Sequence, residues 1–200
     1  MIKSSNDFAE VIESSLHEWL AQSWQWNQFP HFGSLVVVST NKRTLFGIVH
    51  QMQTGSMDPA RYPFAYQKTE QELLAEQPQI FEFLKTTFNC MCVGYQEKGT
   101  IYYLLAPEPP TIHSFVGMPH IELAKQFFSN TAYLHLLFGL SGQIINMDEL
   151  LLALLRYQKY LNALSTNKIH SFIESFCLLT GNDYRRLKLF LQRAQHIISI

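Results

Sequence analysis

Hydrophobic residues recur at helical spacing near the beginning of the chain, between Asp7 and Gln22. Apolar side chains three and four residues apart share one face of an α-helix, so this pattern predicts an amphipathic N-terminal helix. Asp7 and Glu10 have the spacing of a capping box, which would begin that helix. The apolar positions of the predicted helix are Phe8, Val11, Ile12, Leu16, Trp19 and Leu20.

A different pattern follows, with a β-branched run at residues 34–40 and a second short strand-like run at residues 44–52. The first run is apolar at most positions, which is typical of a strand buried on both faces. Only a polar turn separates the two runs, so we predict a β-hairpin. Gly47 interrupts the second strand and predicts a bulge or bend of the kind that turns corners in small barrels.

A second hairpin is predicted from residues 90–95 and 100–106, with Gly99 supplying the positive φ of its turn. Between the two hairpins lies a long excursion that contains prolines. In the second half of this excursion, Thr69 and Glu72 form a capping-box pattern that begins a helix. Pro78 interrupts this helix, which is predicted to end near residue 87.

Beyond Pro119 the pattern is helical throughout, and the short connections favour antiparallel neighbours in a small bundle. The predicted fold class is therefore α+β: a small antiparallel β-barrel with an N-terminal helix and a helical insertion, followed by a C-terminal α-helical bundle. We predict two domains, at residues 1–118 and 119–200. The C-terminal helices are predicted at residues 120–129, 131–140, 148–164, 169–179 and 183–198.

The composition fits a chain with a large core and a surface that is poor in charge. Hydrophobic residues make up 47% of the 200 residues, and only 16% are charged, against about 25% in a typical globular domain. A partner that covers part of the surface would explain the low charge, and so would the many uncharged polar side chains. The net charge of −1 gives no overall attraction to nucleic acid or to an anionic membrane.

Three features lead us to expect a cytoplasmic protein without a membrane segment. The first residues lack the apolar core of a signal peptide. The longest apolar stretches are far shorter than the ~20 residues of a membrane span. The cysteines, Cys90, Cys92 and Cys177, are odd in number and lack the spacing of a disulfide framework, which favours a reducing compartment.

The sequence has no motif that identifies an enzymatic site. No Walker lysine follows a glycine-rich loop, no Gly-x-Ser-x-Gly elbow occurs, and the cysteines and histidines lack the spacing of metal ligands. We therefore predict no catalytic residue, no metal and no cofactor, and we interpret the three cysteines as buried structural residues. An enzyme whose site assembles from distant residues, such as His50, His113 and Glu97, remains an alternative.

The loop at residues 58–68 has more aromatic side chains than a connection needs. Aromatic side chains beside an arginine are typical of protein-binding hot spots. An aromatic plug folded against the mouth of the barrel is the alternative. Two tryptophans that follow the predicted N-terminal helix extend the aromatic surface. The predicted partner-binding residues are Arg61, Tyr62, Phe64, Tyr66, Trp24 and Trp26.

The last predicted helix is locally basic and suggests a second kind of partner. Its cations, in a nucleic-acid-binding alternative, would contact phosphates. The structural alternative is the solvated face of an amphipathic helix, which explains most charged runs of this kind. The cations concerned are Arg185, Arg186, Lys188 and Arg193.

The first hairpin resembles the opening of a HAS-barrel, the small β-barrel at the N-terminus of HerA-type DNA-translocating ATPases. The similarity rests on residues 33–38, on residues 45–49 with the embedded Gly47-Ile48-Val49, and on a proline-marked exit at residues 107–116. The ATPase domain of that family is absent, and predicted helices stand in its place. The resemblance therefore implies a barrel that helps ring assemblies form or docks partners, and it transfers no catalytic residue.

The leading hypothesis is a non-enzymatic adaptor or assembly module that docks onto a protein partner, such as a DNA-translocase or nuclease complex. The low charge, the aromatic loop at residues 58–68 and the tryptophans motivate this hypothesis. A second copy of the chain is a further option for the partner. The alternative is a nucleic-acid-binding accessory protein that uses the basic C-terminal helix.

Overall fold

The computed structural model describes residues 5–58, 64–144 and 146–198. These residues form seven β-strands and seven α-helices, which makes the protein α+β. The strands are β1 (Asp7–Ser14), β2 (Glu18–Ser23), β3 (Leu35–Ser39), β4 (Thr44–Ser56), β5 (Leu84–Glu97), β6 (Thr100–Tyr102) and β7 (Phe115–Gly117). The helices are α1 (Glu70–Glu76), α2 (Gln79–Glu82), α3 (Ile121–Phe127), α4 (Tyr133–Gly139), α5 (Met147–Tyr160), α6 (Thr166–Leu179) and α7 (Tyr184–Ile198).

Six of the strands close into an antiparallel β-barrel, as the sequence predicts. Hydrogen-bonded neighbours follow the order β2-β1-β7-β3-β4-β5, and β5 then pairs with β2 to complete the ring. The short strand β6 pairs with β5 beyond the end of β2. Closure removes the free sheet edges that would otherwise invite pairing with another chain.

The predicted N-terminal helix is wrong, because this part of the chain forms the β1–β2 hairpin. Ile12 has no partner in the β1–β2 register, so the strand's apolar alternation shifts there and imitates helical spacing. The predicted capping box lies inside β1. Alternate residues of the two strands are buried in the barrel, and these are Ala9, Val11, Trp19 and Ala21.

The two predicted hairpins are present as β3–β4 and β5–β6. Gly99 has φ +83°, which suits the turn of the second hairpin. The register of β4 against β5 shifts at two places, where Val93 of β5 and His50 of β4 are the extra residues. The first shift lies opposite Gly47, but its extra residue belongs to β5, so the bulge predicted at Gly47 lies in the partner strand.

After the second hairpin the chain returns to the sheet as β7, a strand that the sequence does not predict. This short strand joins β1 to β3, and the ring would stay open without it. The predicted helix at residues 69–87 is also shorter than expected: it consists of α1 and α2, and Leu84 already belongs to β5. The five C-terminal helices lie where the sequence predicts them, with ends that differ by a few residues.

Two hydrophobic clusters form the core. One fills the barrel and includes Trp19 and Phe88. The other joins the outer faces of β3, β4 and β5 to α3–α7, which explains why β3 is apolar on both faces. Within it, the ring centroids of Phe46 and Phe127 are 4.8 Å apart. Barrel and helices thus share packed residues, and the domain boundary between residues 118 and 119 stays a prediction.

Candidate protein-binding surface

Residues 57–83, here called the insertion segment, connect β4 to β5 and carry α1 and α2. Neither helix contains a buried residue. Strands β4 and β5 stay paired as far as Ser56 and Leu84, so the segment leaves the barrel from the end of a regular hairpin. The hydrogen-bonded ladder that supports the barrel is therefore complete before the segment begins.

The insertion segment exposes large apolar side chains that a globular fold normally covers. The exposed fraction is 46% for Met57, 68% for Phe64, 47% for Leu74 and 43% for Phe83. Complete burial of one such side chain is worth about 1.5–3 kcal/mol. Apolar side chains that adjoin one another at a surface are typical of a binding site.

Helix α1 is held by interactions within the insertion segment. The Thr69 hydroxyl oxygen accepts the Glu72 amide hydrogen at 3.3 Å, and the Glu72 carboxylate accepts the Thr69 amide hydrogen at 2.7 Å. The predicted capping box is therefore confirmed. The bonds from the Thr69 amide and then from its hydroxyl lower the pKa of Glu72 below its usual value. An ion pair between Lys68 and Glu76 adds a further local contact.

Trp24 and Trp26, both predicted to bind a partner, lie in different surroundings. The Trp26 ring stacks on Phe81 of α2 with centroids 5.5 Å apart, and its carbonyl oxygen accepts a hydrogen bond from the Thr86 hydroxyl. The Trp24 ring meets Phe115 of β7 edge-on, with centroids 5.6 Å apart. Trp26 therefore belongs with the insertion segment, whereas Trp24 packs against the barrel.

The other predicted partner-binding residues lie within the insertion segment itself. Phe64 and Tyr66 pack against each other with ring centroids 4.3 Å apart, and Phe64 is the more exposed of the two. Arg61 and Tyr62 lie outside the described residues. The sequence does not predict partner binding by the exposed apolar residues Met57, Leu74 and Phe83.

Some of the cations of the C-terminal helix α7 form ion pairs within the protein. Two of its four cations pair with carboxylates in the first turn of α5. The other two, Arg185 and Lys188, are exposed and make no ion pair with the part of the chain that the structure describes. The pairs are Arg186 with Asp148, at 2.6 Å, and Arg193 with Glu149.

A polar cluster surrounds the β4 bulge. The side chain of His50 is 4% exposed, and its Nε2 lies 3.3 Å from Oε1 of Glu18. The side-chain amide of Asn89 donates to the same carboxylate. Burial lowers the pKa of His50, and the negative charge of Glu18 opposes that shift only in part. The imidazole is therefore enclosed, whereas the carboxylate of Glu18 is 22% exposed.

The three residues suggested for a distant enzymatic site make separate contacts. Glu97 pairs with Arg43 at 3.3 Å, and the amide of His113 donates to the Val11 carbonyl oxygen at 2.9 Å. His50 contacts Glu18 instead.

We expect His50 to make the protein less stable in mild acid. Because folding lowers its pKa below the usual value near 6.5, the unfolded chain binds more protons than the folded chain just below that pH. The free energy of unfolding should therefore decrease as the pH falls below about 6.5, and this residue should contribute no pH dependence well above it. Urea unfolding at about pH 7.5 and about pH 5 measures the effect. Between these two pH values, the free energy of unfolding should fall less for the His50→Gln variant than for the wild-type protein. An equal fall would contradict the prediction.

The cysteines of the barrel are poor nucleophiles. Cys90 and Cys92 are buried on β5, as predicted, whereas Cys177 is half-buried and corrects the prediction of three buried cysteines. Burial raises the pKa of Cys92 to about 12 and that of Cys90 well above its usual value. At neutral pH both thiols therefore stay protonated, and it is the thiolate that reacts.

Within residues 5–58, 64–144 and 146–198, no three His, Cys, Asp or Glu side chains are grouped as ligands for a metal ion. No helix in the described part has both the length and the apolar run needed to cross a membrane. Compared with known proteins, the chain matches no protein-family model and no curated protein sequence.

Proposed function

We propose that this protein is a non-enzymatic adaptor or assembly module that binds a protein partner through the insertion segment. One observation carries the proposal: α1 and α2 bury no residue, while the same segment exposes Met57, Phe64, Leu74 and Phe83. These side chains contribute little to the protein's own core. A partner that covers them would gain the hydrophobic free energy that the fold leaves unused.

The negative charge of the insertion segment indicates which charge the partner surface should carry. Five acidic and two basic residues give residues 57–83 a net charge of −3, against −1 for the whole chain. The helices contribute most of the acidic side chains, which are Glu70, Glu72, Glu76 and Glu82. A complementary partner surface would have an apolar centre and a rim of lysine or arginine. Its association rate should therefore fall as the salt concentration rises.

The resemblance to HAS-barrels makes a DNA-translocase or nuclease complex the first class of partner to test. A second copy of the chain is the next. Light scattering of the purified protein distinguishes a self-associating chain from one that needs a different partner.

We expect the barrel to fold without the insertion segment. Ser56 and Leu84 are directly paired, so an Asn-Gly turn can replace residues 57–83 and close the β4–β5 hairpin. The replacement loses the stacking of Trp26 on Phe81, which is worth about 0.5–1.5 kcal/mol beyond the buried area. Urea unfolding should therefore show a loss of no more than about 2 kcal/mol. A shortened protein that fails to fold would contradict this prediction.

The shortened protein then tests the proposed function. Wild-type and shortened proteins are compared as baits in cells that express the protein, and each captured candidate is purified and its Kd measured. We expect the shortened protein and a Phe64→Ser/Leu74→Ser variant to bind at least about tenfold more weakly. A Leu104→Ser/Leu178→Ser variant, which changes residues that are 61% and 74% exposed elsewhere, is the matched control. Equal affinity of the folded shortened protein would overturn the proposal.

The nucleic-acid alternative rests on Arg185 and Lys188, the two exposed cations of α7 that make no ion pair with the described residues. The helix Tyr184–Ile198 contains no carboxylate that would oppose an approaching phosphate. Two cations predict a weak complex whose log–log salt dependence has a slope no steeper than about −2. Binding of this kind that disappears in Arg185→Glu/Lys188→Glu would favour the alternative over the adaptor.

A further inference from the structure

A groove outside the insertion segment lies between residues 29–34, which precede β3, and the outer face of α5. Its volume is about 640 Å³, which is within the range of about 300–1,000 Å³ that is typical of ligand pockets. Most of its lining is aromatic or apolar. The principal side chains are Phe29, Phe32, Met118, Tyr157 and Tyr160.

One wall of the groove is fixed to both the barrel and α5. The Gly33 amide donates to the Val49 carbonyl oxygen at 2.8 Å, and the Val49 amide donates to the Ser34 carbonyl oxygen at 3.1 Å. Gly33 also packs so closely on α5 that a Cβ there would lie 2.6 Å from the Cβ of Ala153. The groove is therefore formed before a ligand arrives, and binding requires little ordering of the protein.

Arg156 is a cation in this groove, and none of the described residues pairs with it. Its side chain is exposed. None of the described residues that line the groove carries a carboxylate. The acidic residues of α5, Asp148 and Glu149, pair with α7 instead. The groove therefore combines an aromatic surface with the positive charge of Arg156.

We propose that this groove binds an acidic peptide segment of a partner protein. An apolar side chain of the peptide packs against Phe29 and Tyr160, which are 43% and 81% exposed, and a neighbouring carboxylate binds Arg156. The guanidinium group suits this role because its planar donors match the two oxygens of a carboxylate. The site is separate from the insertion segment, so it does not depend on the proposed function there.

Peptide display on phage tests the proposal with the full chain. A random-peptide library is selected against the wild-type protein and counter-selected against Arg156→Glu. We expect the enriched peptides to carry Asp or Glu within two residues of an aromatic or aliphatic side chain. Synthetic versions of these peptides should bind in fluorescence polarisation, and Arg156→Glu should weaken them by at least about tenfold.

Matched variants locate the bound peptide in the groove. Tyr160→Ser should also weaken binding, because the peptide packs against this ring. The ring is 81% exposed, so its loss should leave the fold intact. Arg185→Glu on α7 and Leu178→Ser on α6 should leave the affinity unchanged, and so should replacement of the insertion segment. An absence of enriched peptides, enrichment of peptides without carboxylates, or a preference for single-stranded RNA over every peptide would overturn the proposal.

Discussion

Replacing Gly47 with alanine is expected to lower the free energy of unfolding by about 3 kcal/mol. A Cβ at this position of β4 would lie 2.3 Å from Cη2 of Trp19 and 3.0 Å from the Cβ of Cys90. The Trp19 indole is 1% exposed inside the closed barrel, so it has little space into which it could move. The glycine therefore makes room for the largest side chain of the barrel interior, and urea unfolding measures the cost of filling that room.

A double-mutant cycle separates this contact from a general effect on the strand. Trp19→Phe shortens the ring that approaches residue 47, so in that background Gly47→Ala should cost less than about 1 kcal/mol. Gly55→Ala in the same strand is the control, because no atom lies within 4 Å of its Cβ position. That substitution should change the stability by less than about 0.5 kcal/mol. Equal costs of Gly47→Ala in both backgrounds would contradict the proposed contact.

The parts of the fold that the sequence predicts are those whose patterns are local. The valine run of β3 shows burial on both faces because it packs the barrel interior on one side and the helices on the other. The C-terminal helices are also predicted from local patterns, since each has apolar residues at helical spacing and begins or ends at a residue typical of helix ends. Asn146, for example, caps α5 by accepting the Glu149 amide hydrogen at 3.2 Å.

The β1–β2 hairpin and β7 were missed for different reasons. Two of the inward residues of the hairpin are Ala9 and Ala21, whose small side chains fit beside Trp19 but give a weak strand pattern. The extra residue Ile12 then shifts the alternation. The strand β7 has only three residues, and it pairs because β1 and β3 flank it. Neither feature can be predicted without knowing the neighbouring strands.

The candidate surfaces are likewise only partly predictable from the sequence. The aromatic composition of residues 58–68 marks the insertion segment in the sequence, whereas the absence of buried residues in α1 and α2 becomes evident only in the structure. The groove beside α5 gives no sequence signal, because Phe29, Met118 and Tyr160 are distant in the chain. They meet only because α5 packs against the loop that contains Gly33.

That packing leads to the second large effect: Gly33→Ala should destabilise the protein by about 2–5 kcal/mol. Gly33 has φ +79°, a conformation that costs other residues about 1–2 kcal/mol. The added Cβ would also lie 2.6 Å from the Cβ and 2.9 Å from the carbonyl carbon of Ala153. Overpacking against a helix backbone adds about 1–3 kcal/mol, because a backbone atom cannot move aside as a side chain does.

Gly99→Ala is the matched control for this prediction. Gly99 has φ +83°, but no atom lies within 4 Å of its Cβ position. Its substitution should therefore show the backbone cost alone, about 1–2 kcal/mol. The difference between the two variants in urea unfolding measures the packing of α5 on residue 33. Equal destabilisation would mean that α5 does not press on this loop, and the groove beside Arg156 would then lack the rigid wall on which peptide binding depends.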